Sequence, residues 1–140
     1  MDAIGDEQLV ELAFEAREHA YAPYSHWTVG AALLCKDGNV YQGCNIENAA
    51  YGPSNCAERT AFFRAVYDGR KDFEAIAIVG GPEGKAAPEF CAPCGVCRQV
   101  MQEFCDPERF RIVLGRSDEQ RKIYTLGELL PEGFGPNNLQ

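Results

Sequence analysis

Two cysteine motifs constrain this chain more than any other feature. One is Asn55-Cys56-Ala57-Glu58-Arg59-Thr60-Ala61 and the other is Pro93-Cys94-Gly95-Val96-Cys97. Cys94 and Cys97 are three positions apart, so at a helix start both thiolates face one side, a turn from each other. With Cys56 they would make a three-sulfur zinc site whose fourth tetrahedral position stays open. An open position marks a catalytic zinc, whereas structural zinc is usually closed by four protein ligands. Any fold must therefore bring both stretches, each at an expected helix N-terminus, to one point. In a continuous helix Glu58 would sit about 200° around the axis from Cys56. With Cys56 at the cap, before the helical spiral begins, Glu58 can face the open position without being a ligand.

Composition decides between metal and disulfide. The seven cysteines are an odd number, and two of them form a Cys-x-x-Cys pair. The acidic N-terminus lacks the basic and apolar regions of a signal peptide, and no apolar run approaches a membrane span. A cytoplasmic setting with no membrane partner is expected, and there this cysteine usage favours metal binding. A net charge of −8 with no basic stripe argues against nucleic acid, where binding rests on neutralising phosphates. The 140 residues are expected to form a single domain over 1–140, with 46% hydrophobic residues to fill its core.

Hydrophobic spacing predicts an amphipathic helix over 6–21, with Leu9, Leu12, Ala13, Ala16 and Ala20 as its stripe and Asp6 as N-cap. Strands are expected at 28–35 and 40–45, joined by a hairpin at Asp37-Gly38. The helix opening at Cys56 should stop at Asp68-Gly69. Ala75 to Val79 is apolar on both faces, as in a covered central strand, and 80–93 reads as a loop. A helix burying Cys97, Val100, Met101 and Phe104 follows, then strands at 111–114 and 123–125. Thr125 and Glu128 make a capping box for a last helix. The order αββαβαββα implies an α/β fold with a mixed sheet between helical layers. Cys35, Cys44 and Cys105 are expected in the core.

These motifs resemble the cytidine deaminase family, whose pattern is Cys-Ala-Glu plus Pro-Cys-x-x-Cys. The likeness includes Pro23-Tyr24-Ser25, Val29-Gly30-Ala31-Ala32, Asn45-Ile46-Glu47-Asn48, Cys56 to Ala61, Pro93 to Val100 and Phe134-Gly135-Pro136. It implies a three-layer α/β/α sandwich and one zinc per chain, held by Cys56, Cys94 and Cys97. It implies hydrolytic deamination of cytidine, and of deoxycytidine, in pyrimidine salvage, with Glu58 as proton shuttle. By the same resemblance, Asn45 and Glu47 take the ribose hydroxyls, the Ala57 N–H takes the pyrimidine O2, and Trp27 walls the base where the family usually has Phe. Phe134 would enter a neighbouring subunit's pocket within a homotetramer. Asn137-Asn138-Leu139 departs from the family, which often has an acidic residue before that Leu.

Each assignment has a plainer counterpart. Cys56 would otherwise be a buried structural thiol, and Glu58 a capping-box partner to Asn55. Three thiolates leave a zinc site net negative, and Arg59 and Arg98, next to the ligands in sequence, are candidates to offset that charge from outside. The alternative for each is a solvated surface arginine. Cys91 breaks the family pattern, where the position is generally apolar. It is expected to be a buried apolar thiol, though Cys91-x-x-Cys94-x-x-Cys97 also admits a closed four-cysteine site in a non-catalytic zinc protein. A deaminase of another aminopyrimidine nucleoside, such as blasticidin S, is the nearest enzymatic alternative. His19 and His26 are assigned to no site.

Overall fold

A computed structural model describes residues 4–139. Its elements run α1 (Asp6–Arg17), β1 (Trp27–Cys35), β2 (Val40–Cys44), α2 (Ala57–Tyr67), β3 (Phe73–Pro82), α3 (Gly95–Phe104), β4 (Arg111–Gly115), β5 (Arg121–Thr125) and α4 (Leu126–Leu129), with a 3-10 turn at Pro136–Leu139. The strands form one sheet in the order β2-β1-β3-β4-β5. Only β3 and β4 pair in parallel, and α3 makes the crossover between them, as a parallel connection requires. β3 reaches from Phe73 to Pro82, past residue 80 where a loop was expected, because β1 pairs with it along that whole length, whereas β4 pairs only with Ala75 to Ile78.

Alternation along the strands sends side chains into two cores. On one face Leu9, Val10 and Ala13 of α1 pack on Ala32, Leu34, Ala75, Ala77, Val79 and Val113. On the other, Ala61 and Phe62 of α2, Met101 of α3 and Leu126 of α4 pack on Leu33, Ile76, Ile78 and Ile112. The result is the expected α/β/α layering around a mixed sheet.

Close approach of backbones fixes where α2 lies. A Cβ at Gly43 of β2 would stand 2.4 Å from the Ala57 carbonyl oxygen and 2.5 Å from the Ala61 nitrogen. Only glycine lets the first turn of α2 rest on the strand, and that turn carries the first cysteine motif. The Arg64 guanidinium, farther along α2, donates to the Gln42 carbonyl of β2.

α1 ends at Arg17, not near residue 21. The chain beyond it is claimed by tertiary pairing: Tyr21 N–H donates to the Asn45 carbonyl at 2.9 Å, and Glu47 N–H donates to the Tyr21 carbonyl at 2.9 Å. The N-cap is Gly5, not Asp6; Asp6 pairs instead with Arg111 at 2.6 Å. The Thr125–Glu128 capping box is present, with Thr125 N–H donating to Glu128 Oε1 at 2.8 Å. Cys35 and Cys105 are buried, whereas Cys44 is half-buried, and all seven thiols are free. Among the described residues no helix is long and apolar enough to cross a membrane.

Arg17 has a role that its place on α1 did not signal. It is only 8% exposed. Its Nε donates to the Thr28 carbonyl at 3.0 Å and to Thr28 Oγ1 at 2.9 Å, and its Nη2 donates to the Pro82 carbonyl at 2.7 Å. One buried guanidinium thus ties the start of β1 to the end of β3.

Candidate active site

α2 and α3 begin at the same corner of the sheet. Cys56 is the N-cap of α2, with φ −76° and ψ 156°, and Cys94 is the N-cap of α3, with φ −69° and ψ 167°. Both are extended residues just outside their helices, and Cys97 follows on the first turn of α3, buried. The sulfurs of Cys56, Cys94 and Cys97 all lie within 4.8 Å of one another, and Cys56 and Cys94 are 3.8 Å apart. A tetrahedral zinc about 2.3 Å from each sulfur holds sulfurs about 3.8 Å apart. A disulfide needs about 2.0 Å. The donor set is thus spaced for a thiolate-bound metal. Cys91 lies outside this group, which fits three sulfurs and an open position better than a closed site of four.

Beside the sulfurs is a cavity of about 460 Å³, a size suited to a small ligand. Its floor is Cys56, Ala57, Glu58 and Cys94, and its walls include Trp27, Val29, Asn45, Glu47, Arg59 and Cys91. The N-cap position of Cys56 resolves the angular objection to Glu58, which lines the same cavity although only 5% exposed. Burial pushes its carboxyl up to about 7, and the neighbouring Cys56 thiolate adds to the rise. Ala57, the first residue of α2, offers an N–H that the helix leaves without a partner.

The thiols polarise one another. A hydrogen bond from Cys97 is the largest cause pulling Cys56 down to about 5, and the Arg59 guanidinium adds to it. The same shared proton drives Cys97 upward. Arg59 Nη2 stands 3.3 Å from Cys56 Sγ, the position from which it offsets thiolate charge. Arg98 goes elsewhere: Nε donates to the Pro93 carbonyl and Nη1 to the Leu129 carbonyl, both at 2.7 Å. It braces the backbone ahead of Cys94 against α4 and donates to no sulfur, since its side chain leaves α3 on the side facing α4.

Asn45 and Glu47 both reach the cavity, and both also hold its wall together. Asn45 Oδ1 accepts from the Val29 N–H and its Nδ2 donates to the Trp27 carbonyl, each at 2.8 Å. Glu47 accepts from the N–H groups of Tyr24 at 3.0 Å and Ser25 at 3.1 Å, and from the Ser25 hydroxyl. The Ser25 bonds hold its carboxyl below the usual range. Trp27 stands at the rim, 39% exposed. Phe134 is absent from this cavity. The residue is 57% exposed, while its carbonyl accepts from Gln99 Nε2 on α3 at 2.8 Å.

Sequence reasoning missed Val29 and Ser25 as lining residues and took Cys91 for a buried apolar thiol. Cys91 is half-buried in the cavity wall, where its side chain lies against Gly80 of β3. The break in the family pattern at this position was the available signal.

Comparison with known proteins reaches the same place. A family model for the cytidine and deoxycytidylate deaminase zinc-binding region matches residues 4–113. A cytidine deaminase of Sporosarcina psychrophila is 48% identical over 136 residues, 95% of this chain and 93% of that protein. One of Halalkalibacterium halodurans is 50% identical over 128 residues, 91% of this chain and 92% of that protein. The crystal structure of cytidine deaminase from Burkholderia pseudomallei superposes with a TM-score of 0.84 at 47% identity, covering 94% of this chain and all of that one. That from Mycobacterium tuberculosis gives 0.77 at 36% identity, covering 94% and 98%. With sequence and fold matched along nearly the whole length, around three thiols spaced for zinc, this chain belongs to the zinc-binding cytidine and deoxycytidylate deaminase family.

Proposed function

We propose that this protein hydrolyses the 4-amino group of cytidine, and of deoxycytidine, giving the uridine product and ammonia in pyrimidine salvage. The observation that carries the reading is a buried carboxyl, Glu58, sharing one small cavity with two of three clustered thiols. Cys56, Cys94 and Cys97 would hold zinc in this reading, beside the cavity that Cys56 and Cys94 line. When bound, zinc supplies a Lewis acid that makes water a nucleophile near neutral pH.

The chain's own groups do the rest. Glu58 takes a proton from the attacking water and delivers it to ring N3, which makes C4 more electrophilic. The water oxygen bonds to C4. Glu58 then carries the second water proton to the amine, the C4–N bond breaks, and ammonia leaves. A carboxyl with a pKa near 7 can both accept and donate at physiological pH. Arg59 offsets the charge of the Cys56 thiolate. The Ala57 N–H binds the pyrimidine O2, Trp27 walls the base, and Asn45 and Glu47 meet the sugar. A carboxylate at the sugar end disfavours a phosphate, so nucleosides are preferred over nucleotides.

The protein is cytoplasmic and homotetrameric in this reading, each pocket completed by Phe134 of another subunit. An exposed Phe134 on a tail anchored to α3 supports that assembly. So do Ile46, Phe63 and Tyr67, which line an open groove on the outer side of α2. Ammonia release should be measured with cytidine, deoxycytidine, cytosine, CMP and blasticidin S, alongside zinc content per chain. Turnover of the two nucleosides with one zinc per chain is expected. No turnover of either nucleoside by zinc-loaded protein overturns the reading.

A further inference from the structure

Behind the cavity wall lies Gly80, near the C-terminal end of β3 and opposite Val29 in the β1–β3 ladder. A Cβ built there would stand 2.9 Å from Cys91 Sγ, 3.2 Å from Cys91 Cβ and 3.1 Å from Val29 Cγ2. Both of those side chains line the cavity. The wall therefore has no slack at its back: Cys91 is seated in the space a missing methyl leaves. A larger residue at either position must displace the wall into the cavity.

We infer that Cys91, backed by Gly80, is a specificity-determining residue that sets the room beside the reacting carbon of the substrate. The inference rests on the proposed deaminase reading. Cys91 lines the same cavity as Glu58 and Cys94, so its thiol borders the end where the reaction takes place. Of the two ring atoms next to C4 of a cytosine base, N3 bears no substituent, so C5 is where added bulk meets this wall. A hydrophobic wall discriminates one methyl group by roughly 10–200-fold.

The test is the ratio of kcat/KM for 5-methylcytidine to that for cytidine, with zinc content measured for every variant. Cys91→Ala should raise the ratio by about tenfold, and Cys91→Leu should lower it by about as much. Gly80→Ala should also lower it, and Gly80→Ala with Cys91→Ala should return it to within about threefold of the unaltered protein, because the new methyl fills the vacated space. Gly81→Ala is the control. Its Cβ would meet the Ala86 oxygen and Ala87 Cα, each at 2.9 Å on the far face of the sheet, so it should lower stability and leave the ratio unmoved.

If Gly80→Ala does not fold, the two Cys91 variants decide the matter alone. A ratio that stays within about twofold in both, with normal cytidine turnover, overturns the inference and leaves the deaminase reading intact. Absence of cytidine turnover in the unaltered protein sinks both.

Discussion

Glu58 keeps its proton to near neutrality because it is buried beside a thiolate, and the proposed reaction asks it to move two protons per turnover. Glu58→Gln keeps the shape and removes the titration. One general acid–base role is worth roughly 10²–10⁴-fold, so turnover should fall by at least about 10⁴-fold while zinc stays bound. Activity within about tenfold of the unaltered protein would assign the proton to another group. Thiol chemistry offers a second check. Burial pushes Cys35 up to about 11 and raises Cys105 as well, so both stay protonated thiols through pH 8. Their thiolate forms appear only as pH climbs past those raised values, and native-state alkylation at pH 8 should be more than about 100-fold slower than for an exposed cysteine. Rapid labelling of either would contradict their placement. At this scale the sequence was most legible where chemistry is local, as in the cysteine spacing and in Glu58 two positions after Cys56. The bonds of Asn45 to β1 and of Glu47 to Ser25 were not legible. Their partners lie 16 to 23 residues away, with no periodicity to link them.

Two helices start at one corner because the strands beneath them allow it. Gly43 is the critical seat for α2, and Gly43→Ala would drive a methyl into the Ala57 carbonyl and the Ala61 nitrogen. Those atoms are backbone and cannot swing aside. Overpacking costs about 1–3 kcal/mol, and a clash with a helix backbone belongs at the upper end. Lifting α2 also moves Cys56, so zinc affinity should fall by at least about tenfold along with stability. Urea unfolding and competition with a chelator measure the two losses separately. Unchanged values for both would mean that α2 is not seated there. Helices and strands were readable from hydrophobic period, and the Thr125–Glu128 cap from residue type. The stop of α1 at Arg17 was not, because tertiary partners end it and no breaker residue does.

The whole molecule carries a tail whose backbone is held by α3 and whose Phe134 is exposed. Under the proposed assembly, light scattering should give four chains per particle. Truncation after Pro131 should raise KM for cytidine by about tenfold or more with zinc unchanged, the loss expected when one aromatic contact leaves a small pocket. A monomeric intact protein, or a truncated one with the same kinetics, would mean that each chain completes its own site. How copies can meet is also limited by the two ends of the sheet. At one end, Arg64 already occupies the Gln42 carbonyl of β2. At the other, β5 is five residues long and opens with Arg121 and Lys122, both exposed. A bare, flat, uncharged edge invites the next strand and then the next without limit, and charged residues on a short strand discourage it. Under the proposed assembly, association is therefore directed to the outer surfaces of the helices, where symmetry would close the particle at a fixed number of chains. Concentrated solutions of this protein should accordingly reach a limiting particle size and should not grow into fibres.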